Sequence, residues 1–364
     1  MGFAATAPAR ATSFSATELS NDMALLSQFN LVALGAFTSN QPSSAPISVD
    51  GRVIAGSESV GNTGVCYSAT CGGNATKAID STGKLYGAMT VFGNISGTSG
   101  TFAGTTSVGG TASGSFYMNN TGTLEAAKAS GLTVNAPGTK IETNDNGSGV
   151  TLTGNNTGVK VTTNPVLASV FPFSSGALTA QIKALSAGIA ALPGSPGVRA
   201  QALPSSNAGV YTANTDYTTY NGQKYSVITT TLANLATSGL TGISNGSNAA
   251  TFVVVKGDGA GYVLPTLTSY AASNVLFDFV DATTLKFGGN WYGTILAPLA
   301  NITMGSGTID GTVIVNSINQ TQNLYSTVLF TGSLGGLVPE PASLTLFGVG
   351  LAAAAIARRR RRRA

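Results

Sequence analysis

Short alternating runs of β-branched and apolar residues, broken by Gly, Asn, Thr and Ser, dominate the chain, and their most regular stretch lies between Leu132 and Val161. There the triplets Leu132-Thr133-Val134, Ile141-Glu142-Thr143, Val150-Thr151-Leu152 and Val159-Lys160-Val161 recur every nine residues. Each triplet alternates with a period of two, so its outer members point to one side and its middle member to the other. Asn or Gly turn residues follow each one. A fixed short period marks stacked coils, and two nine-residue strand-and-turn units make one coil of eighteen. The same number returns independently near the C-terminus. Gly293-Thr294-Ile295-Leu296-Ala297, with Asn301 and Thr303, is matched eighteen residues later by Gly311-Thr312-Val313-Ile314-Val315, with Asn319 and Thr321. Equivalent residues should therefore stack at about 4.8 Å in parallel sheets, with Val and Ile inside and Asn at the corners. That register puts Glu142 directly over Lys160, and Thr133 over Thr151.

One segment breaks the β pattern. Between Phe173 and Leu192, the residues Leu178, Ile182, Leu185, Ile189 and Leu192 alternate spacings of four and three, which makes one apolar stripe on a helix. Ser174 or Ser175 supplies an N-cap, and Pro193-Gly194 a stop. Such a stripe needs a surface to cover: the flank of the solenoid, or a partner helix of another chain. A shorter helix is expected around Leu19 to Ser27. The Pro/Ser/Asn/Tyr-rich loop that follows, 193–222, should expose Tyr211, Tyr217 and Tyr220. In the strand Asn274 to Phe279, Val275, Phe277 and Phe279 share a buried face, so Asp278 should point outward. Trp291, the single tryptophan, reads as a packing residue.

Composition agrees with a β-rich body. Of 364 residues, 47 are Gly and only 9% are charged, a mixture that favours strands joined by tight turns over long helices. The formal charge of +4 belongs to the extreme C-terminus. Setting aside the six terminal arginines leaves 12 Lys+Arg against 14 Asp+Glu, a balance of −2, which offers no basic surface to nucleic acid or anionic lipid. Histidine is absent, which removes histidine-dependent nucleophile pairs and histidine-ligated metal sites. Cys66 and Cys71 lie close in sequence; in an exported protein a local disulfide is the favoured reading, with two free thiols as the alternative.

The C-terminus has three parts in order. Pro339-Glu340-Pro341 is followed by an uncharged apolar run from Ala342 to Ala357, and then by Arg358, Arg359, Arg360, Arg361, Arg362 and Arg363. As a helix the apolar part can just span a hydrocarbon core of about 30 Å, with the arginines snorkelling to one interface. Arginine clusters remain cytoplasmic, so the body before them is directed outward. These residues resemble the PEP-CTERM sorting signal of Gram-negative bacteria. The resemblance implies recognition by an exosortase, removal of the tail near Pro339-Glu340-Pro341, and delivery from an inner-membrane-anchored intermediate to the cell surface or beyond. At the other end, Met1 to Ala11 looks like the last part of a signal peptide, with Ala9 and Ala11 placed as in an A-x-A cleavage site. Mature sequence is then expected to begin near Thr12.

A second resemblance rests on Phe29-Asn30 with Gly35, on Asp50-Gly51-Arg52-Val53-Ile54-Ala55-Gly56, and on the strands from Asn274 to Ile318. These are similar to the choice-of-anchor A family of bacterial surface proteins, with 61–82 as a local insertion. Together the readings divide the chain into a signal remnant (1–11), a body (12–332, with its helix at about 174–192), a linker (333–338) and a sorting tail (339–364). The body is expected to be all-β with one long flanking α-helix: a parallel β-helix or β-solenoid, ice-binding-protein-like or adhesin-like.

Candidate chemistry is sparse. Polysaccharide-active β-helices need clustered carboxylates, and the nearest candidates, Asp278, Asp281 and Asp310, stand in ordinary contexts. No catalytic, cofactor or metal residue is assigned, and the resemblance brings none. The expectation is an exported structural or adhesive protein whose partners are the exosortase and export machinery, the membrane through its tail, and an extracellular polysaccharide or matrix protein. A polysaccharide-active enzyme and an ice-binding protein are the alternatives.

Overall fold

The computed structural model describes residues 29–330, apart from 41–46, 62, 66–77, 80–84, 87, 120–122, 136–139, 146, 155–159, 164–174, 196, 207–208, 214–217, 221–222, 245–249, 259–260, 269–273 and 328–329. Cys66 and Cys71, the segments 1–28 and 331–364, Tyr217 and the expected helix at 19–27 lie outside them. The described chain winds as stacked coils, each contributing strand to three walls, here called A, B and C.

Wall A is one parallel ladder. It runs from Ala200–Ala202 through Gln223–Thr231, Ala250–Lys256, Val275–Phe279, Thr294–Met304 and Val313–Gln320 to Phe29–Asn40. It continues through Arg52–Gly61, Met89–Val91, Thr106–Asn119, Thr123–Asn135 and Lys140–Thr143 to Lys160–Thr163. The chain order is therefore broken in the middle. The N-terminal strand lies against the C-terminal one, with Leu31 paired to Val313 and Ala33 to Val315, and the two halves of the molecule wind away from this seam in opposite directions.

Helix α1 (Ser175–Ala191), prolonged by a 3-10 turn at Leu192–Gly194, connects the two outer ends. Its stripe of Leu178, Ile182, Leu185, Ile189 and Leu192 is buried, as the spacing predicts. The reason it lies on wall A is legible rung by rung. The outward positions Val254, Leu296, Ile314, Val32 and Ile54 form a row, apolar except for Asp278 between the first two, which the helix covers. Beyond Ile54 the row turns polar, as Thr90, Ser107, Glu125, Glu142 and Thr162. A helix of seventeen residues is about 26 Å long, or roughly five strand spacings, which matches the apolar stretch. Each fully buried Leu or Ile contributes about 1.5–3 kcal/mol, so the stripe alone accounts for firm docking.

The interior is apolar. Trp291 sits fully buried among Phe277 and Phe287, edge-on at centroid distances of 4.8 and 5.1 Å. Val275, Phe277 and Phe279 face the interior together, as expected. Asparagines cap the corners: Asn94 Oδ1 accepts from the Thr111 amide, Asn290 Oδ1 from Thr308 and Asn323 Oδ1 from Ser48, each reaching an adjacent coil.

Several expectations need correction. Thr133 does stack on Thr151, but Glu142 lies over Thr162, not Lys160. Twenty residues separate Ile141 from its partner Val161, two more than the period supplies, so Lys160 falls beside Lys140. Glu142 instead pairs with Lys140, two residues earlier on its own strand. Ile295 and Val313 keep the eighteen-residue stack, but the ladder shifts between Ala297 and Asn301, so Asn301 meets Ser317 and Thr303 meets Asn319. Part of the supposed insertion is regular: Thr63–Val65 belongs to wall C, the parallel ladder that runs from Trp291–Tyr292 through Ile309–Asp310, Leu324–Tyr325, Ile47–Val49 and Thr63–Val65 to Thr101 and Phe102. Tyr211 is half-buried against the core, its hydroxyl donating to Gln201 Oε1 at 3.1 Å.

Candidate functional site

Wall B carries the most ordered surface. Its outward positions, one per coil, are Lys286, Thr303, Asn319, Thr38, Ser59, Ser96 and Ser113, each in register with the next. They point outward because Leu285, Ile302, Ile318, Phe37, Ile95 and Ala112 alternate with them and fill the interior. A second row follows Thr284, Asn301 and Ser317, and then, across the seam, Ala36 and Ser57. The result is a grid of small hydroxyls and amides, about 4.8 Å between coils and about 6.7 Å along a strand. Lys286, at the edge, is the one charged residue of the first row among the described residues. Neighbours tie the grid together: Ser317 Oγ and Asn316 Nδ2 donate to Asn301 Oδ1 at 2.5 and 2.9 Å, and Thr38 Oγ1 donates to the Ile318 carbonyl at 3.3 Å.

The grid crosses the seam, so the seam's integrity decides its flatness. Asn30 holds that joint. It is fully buried, its Nδ2 donates to the carbonyls of Gly311 (2.6 Å) and Tyr325 (2.8 Å), and its Oδ1 accepts from the Gly51 amide (3.3 Å). Gln320 Nε2 adds a bond to the Ser48 carbonyl at 3.1 Å.

Carboxylates do not gather into a reactive centre. Asp278 does point away from the interior, but it is not at the surface as the alternation suggested, because α1 covers it. It is fully buried, its Oδ1 accepts from Ser186 Oγ at 2.6 Å, and burial pushes its carboxyl up to about 8, with Asp281 adding to the shift. Asp281 itself is exposed. Asp310 belongs to wall C, where its oxygens accept from the Thr327 amide (2.9 Å) and the Thr327 hydroxyl. Asp50 was missed by sequence reasoning. Burial raises its carboxyl, and so does the neighbouring Asp310, a proximity that arises only because the seam joins distant parts of the chain. Glu58 was also missed. It points into the interior, in register with Phe37 on one side and Ile95 on the other, and neither carboxyl oxygen has a hydrogen-bond partner. Burial pushes its carboxyl well above the usual range. The alternation of Ser57, Glu58 and Ser59 is the signal that could have exposed it, since the inward position there holds a glutamate. Among the described residues, no three His, Cys, Asp or Glu side chains are grouped as a metal site would require.

Comparison with known proteins bears on both halves of this picture. Residues 22–325 match the family model described as "Putative Ice-binding-like adhesive domain". The chain belongs to that family. This ice-binding-like adhesive domain is followed, at residues 337–362, by a match to the PEP-CTERM protein-sorting motif, which contains Pro339, Glu340 and Pro341 and runs into the arginine cluster. The choice-of-anchor A resemblance is consistent with both matches. No curated protein and no solved structure matches the chain. The adhesive domain is thus an exported one: the sorting signal marks a membrane-anchored intermediate that is processed for the cell surface or the extracellular space. Among the described residues no helix is long and apolar enough to cross a membrane, and the apolar run 342–357 lies outside them.

Proposed function

We propose that the protein is an adhesive component of the cell surface or its surrounding matrix, holding extracellular polysaccharide through wall B, and that it is non-catalytic. The hydroxyl and amide grid across the seam carries this reading. Its regular spacing gives repeated weak hydrogen bonds to a polymer with repeated hydroxyls, while Asp278 and Glu58 are buried and Asp310 is engaged by Thr327. An exosortase is the processing partner, cutting near Pro339-Glu340-Pro341 and leaving a body of about 12–332 with the linker 333–338.

Retention on native exopolysaccharide tests the reading. Introducing Asn319→Lys together with Ser59→Lys, both exposed and two coils apart, should leave the melting temperature within a few degrees, because surface changes away from special features are nearly neutral. Binding should fall at least tenfold, which is about 1.4 kcal/mol. Unchanged retention would remove wall B as the contact surface, and depolymerisation of the polysaccharide would favour an enzyme instead. The regular hydroxyl grid also favours a second reading, ice binding; thermal hysteresis that disappears in the same double variant would establish it in place of adhesion.

A further inference from the structure

The grid of wall B has a direction. Its first row, from Lys286 through Thr38 to Ser113, places one outward side chain on each of seven successive coils. At about 4.8 Å per coil the row is about 29 Å long. Along a strand the same face repeats only every 6.7 Å or so. A ligand whose own repeat is near 5 Å can therefore meet one rung per unit only if it runs along the stack.

The row is open on both sides. Two residues beyond Lys286, Thr303 and Ser59 stand Gly288, Gly305 and Gly61, which have no side chain to wall it off. Two residues before the same three stand Thr284, Asn301 and Ser57, all short and exposed. Apart from Lys286 at the edge, the described positions of the two rows carry no charge, whereas a polyanion needs cationic partners along its length. No aromatic ring stands in either row, so the face supplies hydrogen bonds to hydroxyls and no stacking platform.

These features discriminate among sugar polymers. In an extended β-(1→4)-linked chain of hexopyranoses each residue advances about 5 Å, within a few tenths of an ångström of the coil spacing of about 4.8 Å. Its equatorial hydroxyls line both edges of a flat ribbon. An α-(1→4) or β-(1→3) linkage curves the chain and takes it out of step within a few residues. We infer that wall B takes an uncharged, extended β-(1→4)-linked glycan, lying along the stack axis with one sugar residue per coil. The inference rests on the adhesive reading of wall B and adds the linkage, the charge and the direction of the polymer.

The test titrates the full chain, in a detergent without sugar headgroups, by calorimetry with cellotriose, cellohexaose, maltohexaose, laminarihexaose and a galacturonate hexamer. Cellohexaose should bind at least tenfold more tightly than each of the other hexamers, and than cellotriose, because it engages about twice as many rungs. Thr303→Lys and Ser59→Lys, at exposed positions three coils apart, should each weaken cellohexaose several-fold, since one axial chain meets both. Undetectable cellohexaose binding, equal affinities among the hexamers, preference for galacturonate, or no gain from trimer to hexamer would overturn the inference. So would a loss in only one of the two variants, which contradicts the axial placement. Retention on native exopolysaccharide separates the two readings. If it still falls in the Asn319→Lys, Ser59→Lys double variant while the hexamers are not distinguished, the linkage fails and the adhesive wall stands. If cellohexaose binds equally well to the parent and to every lysine variant, wall B itself fails as the contact surface.

Discussion

Replacing Asp278 by Asn should reverse the usual outcome of mutating a buried hydrogen-bonded residue, and should do so in a pH-dependent way. In the folded chain the carboxyl is held at about 8 by burial, whereas in the unfolded chain it returns to about 3.8. Between these values the folded state keeps a proton that the unfolded state has lost. The contribution of Asp278 to folding stability is therefore greatest below about pH 4, falls by about 1.4 kcal/mol per pH unit until about pH 8, and is level above that. The whole loss is on the order of 6 kcal/mol. Asparagine does not titrate and preserves the acceptor for Ser186, but it buries an amide NH₂ where Oδ2 now has no partner, at a cost of about 1–3 kcal/mol. Asp278→Asn should thus be the less stable protein at pH 4 and the more stable one by about 3–5 kcal/mol at pH 8 and above. Urea denaturation followed by circular dichroism at intervals from pH 4 to pH 9 measures both curves. Glu58 titrates in the same sense in both proteins, so the difference between the curves isolates Asp278. Parallel curves, or a parent more stable than the variant at pH 8, would refute the burial argument.

Glu58→Leu should stabilise the protein at neutral pH by about 1–3 kcal/mol, seen as a higher thermal midpoint, because it removes two partnerless oxygens from an apolar interior. Asn30→Ala should cost about 2–4 kcal/mol, since two hydrogen bonds across the seam and a third from the Gly51 amide go with it; a loss under about 0.5 kcal/mol in chemical denaturation would show that the joint is held elsewhere. Gly114→Ala should destabilise by more than about 2 kcal/mol or prevent folding. Its φ is +103° and an added Cβ would lie 1.9 Å from the Gly97 carbonyl oxygen, so reduced soluble yield and a lowered denaturation midpoint are the expected readouts.

Much of the architecture was legible because a solenoid repeats its physics locally. The nine-residue triplets and the eighteen-residue match gave the coil, and the stripe on Leu178, Ile182, Leu185, Ile189 and Leu192 gave the helix. Register was less secure. Two extra residues between Ile141 and Val161, and the irregularity between Ala297 and Asn301, each shift a partner without disturbing the inward alternation that makes a strand recognisable. The hydroxyl grid could not be read from spacing at all. Its central rung sets Thr38 beside Asn319, and nothing local in the sequence says that these two strands meet. Asp278 was misplaced for a related reason. Alternation says that it faces out, but only the helix position says that out is covered. The change from Val32 and Ile54 to Thr90 and Ser107 along the outward row is the clue, and it is visible only once the rungs are aligned.

The broken chain order at the seam also limits when the stack can close. Phe29–Asn40 emerges early and presents a raw edge, which only Val313–Gln320, the better part of the chain away, can clasp. Pairing over such a distance is slow and leaves the edge open to wrong partners in the meantime. The middle of the stack cannot close until Val313–Gln320 is present. A C-terminal stop that detains the chain at the membrane keeps the late strand waiting beside the early one, so release before closure would let an unfinished and sticky half-stack escape.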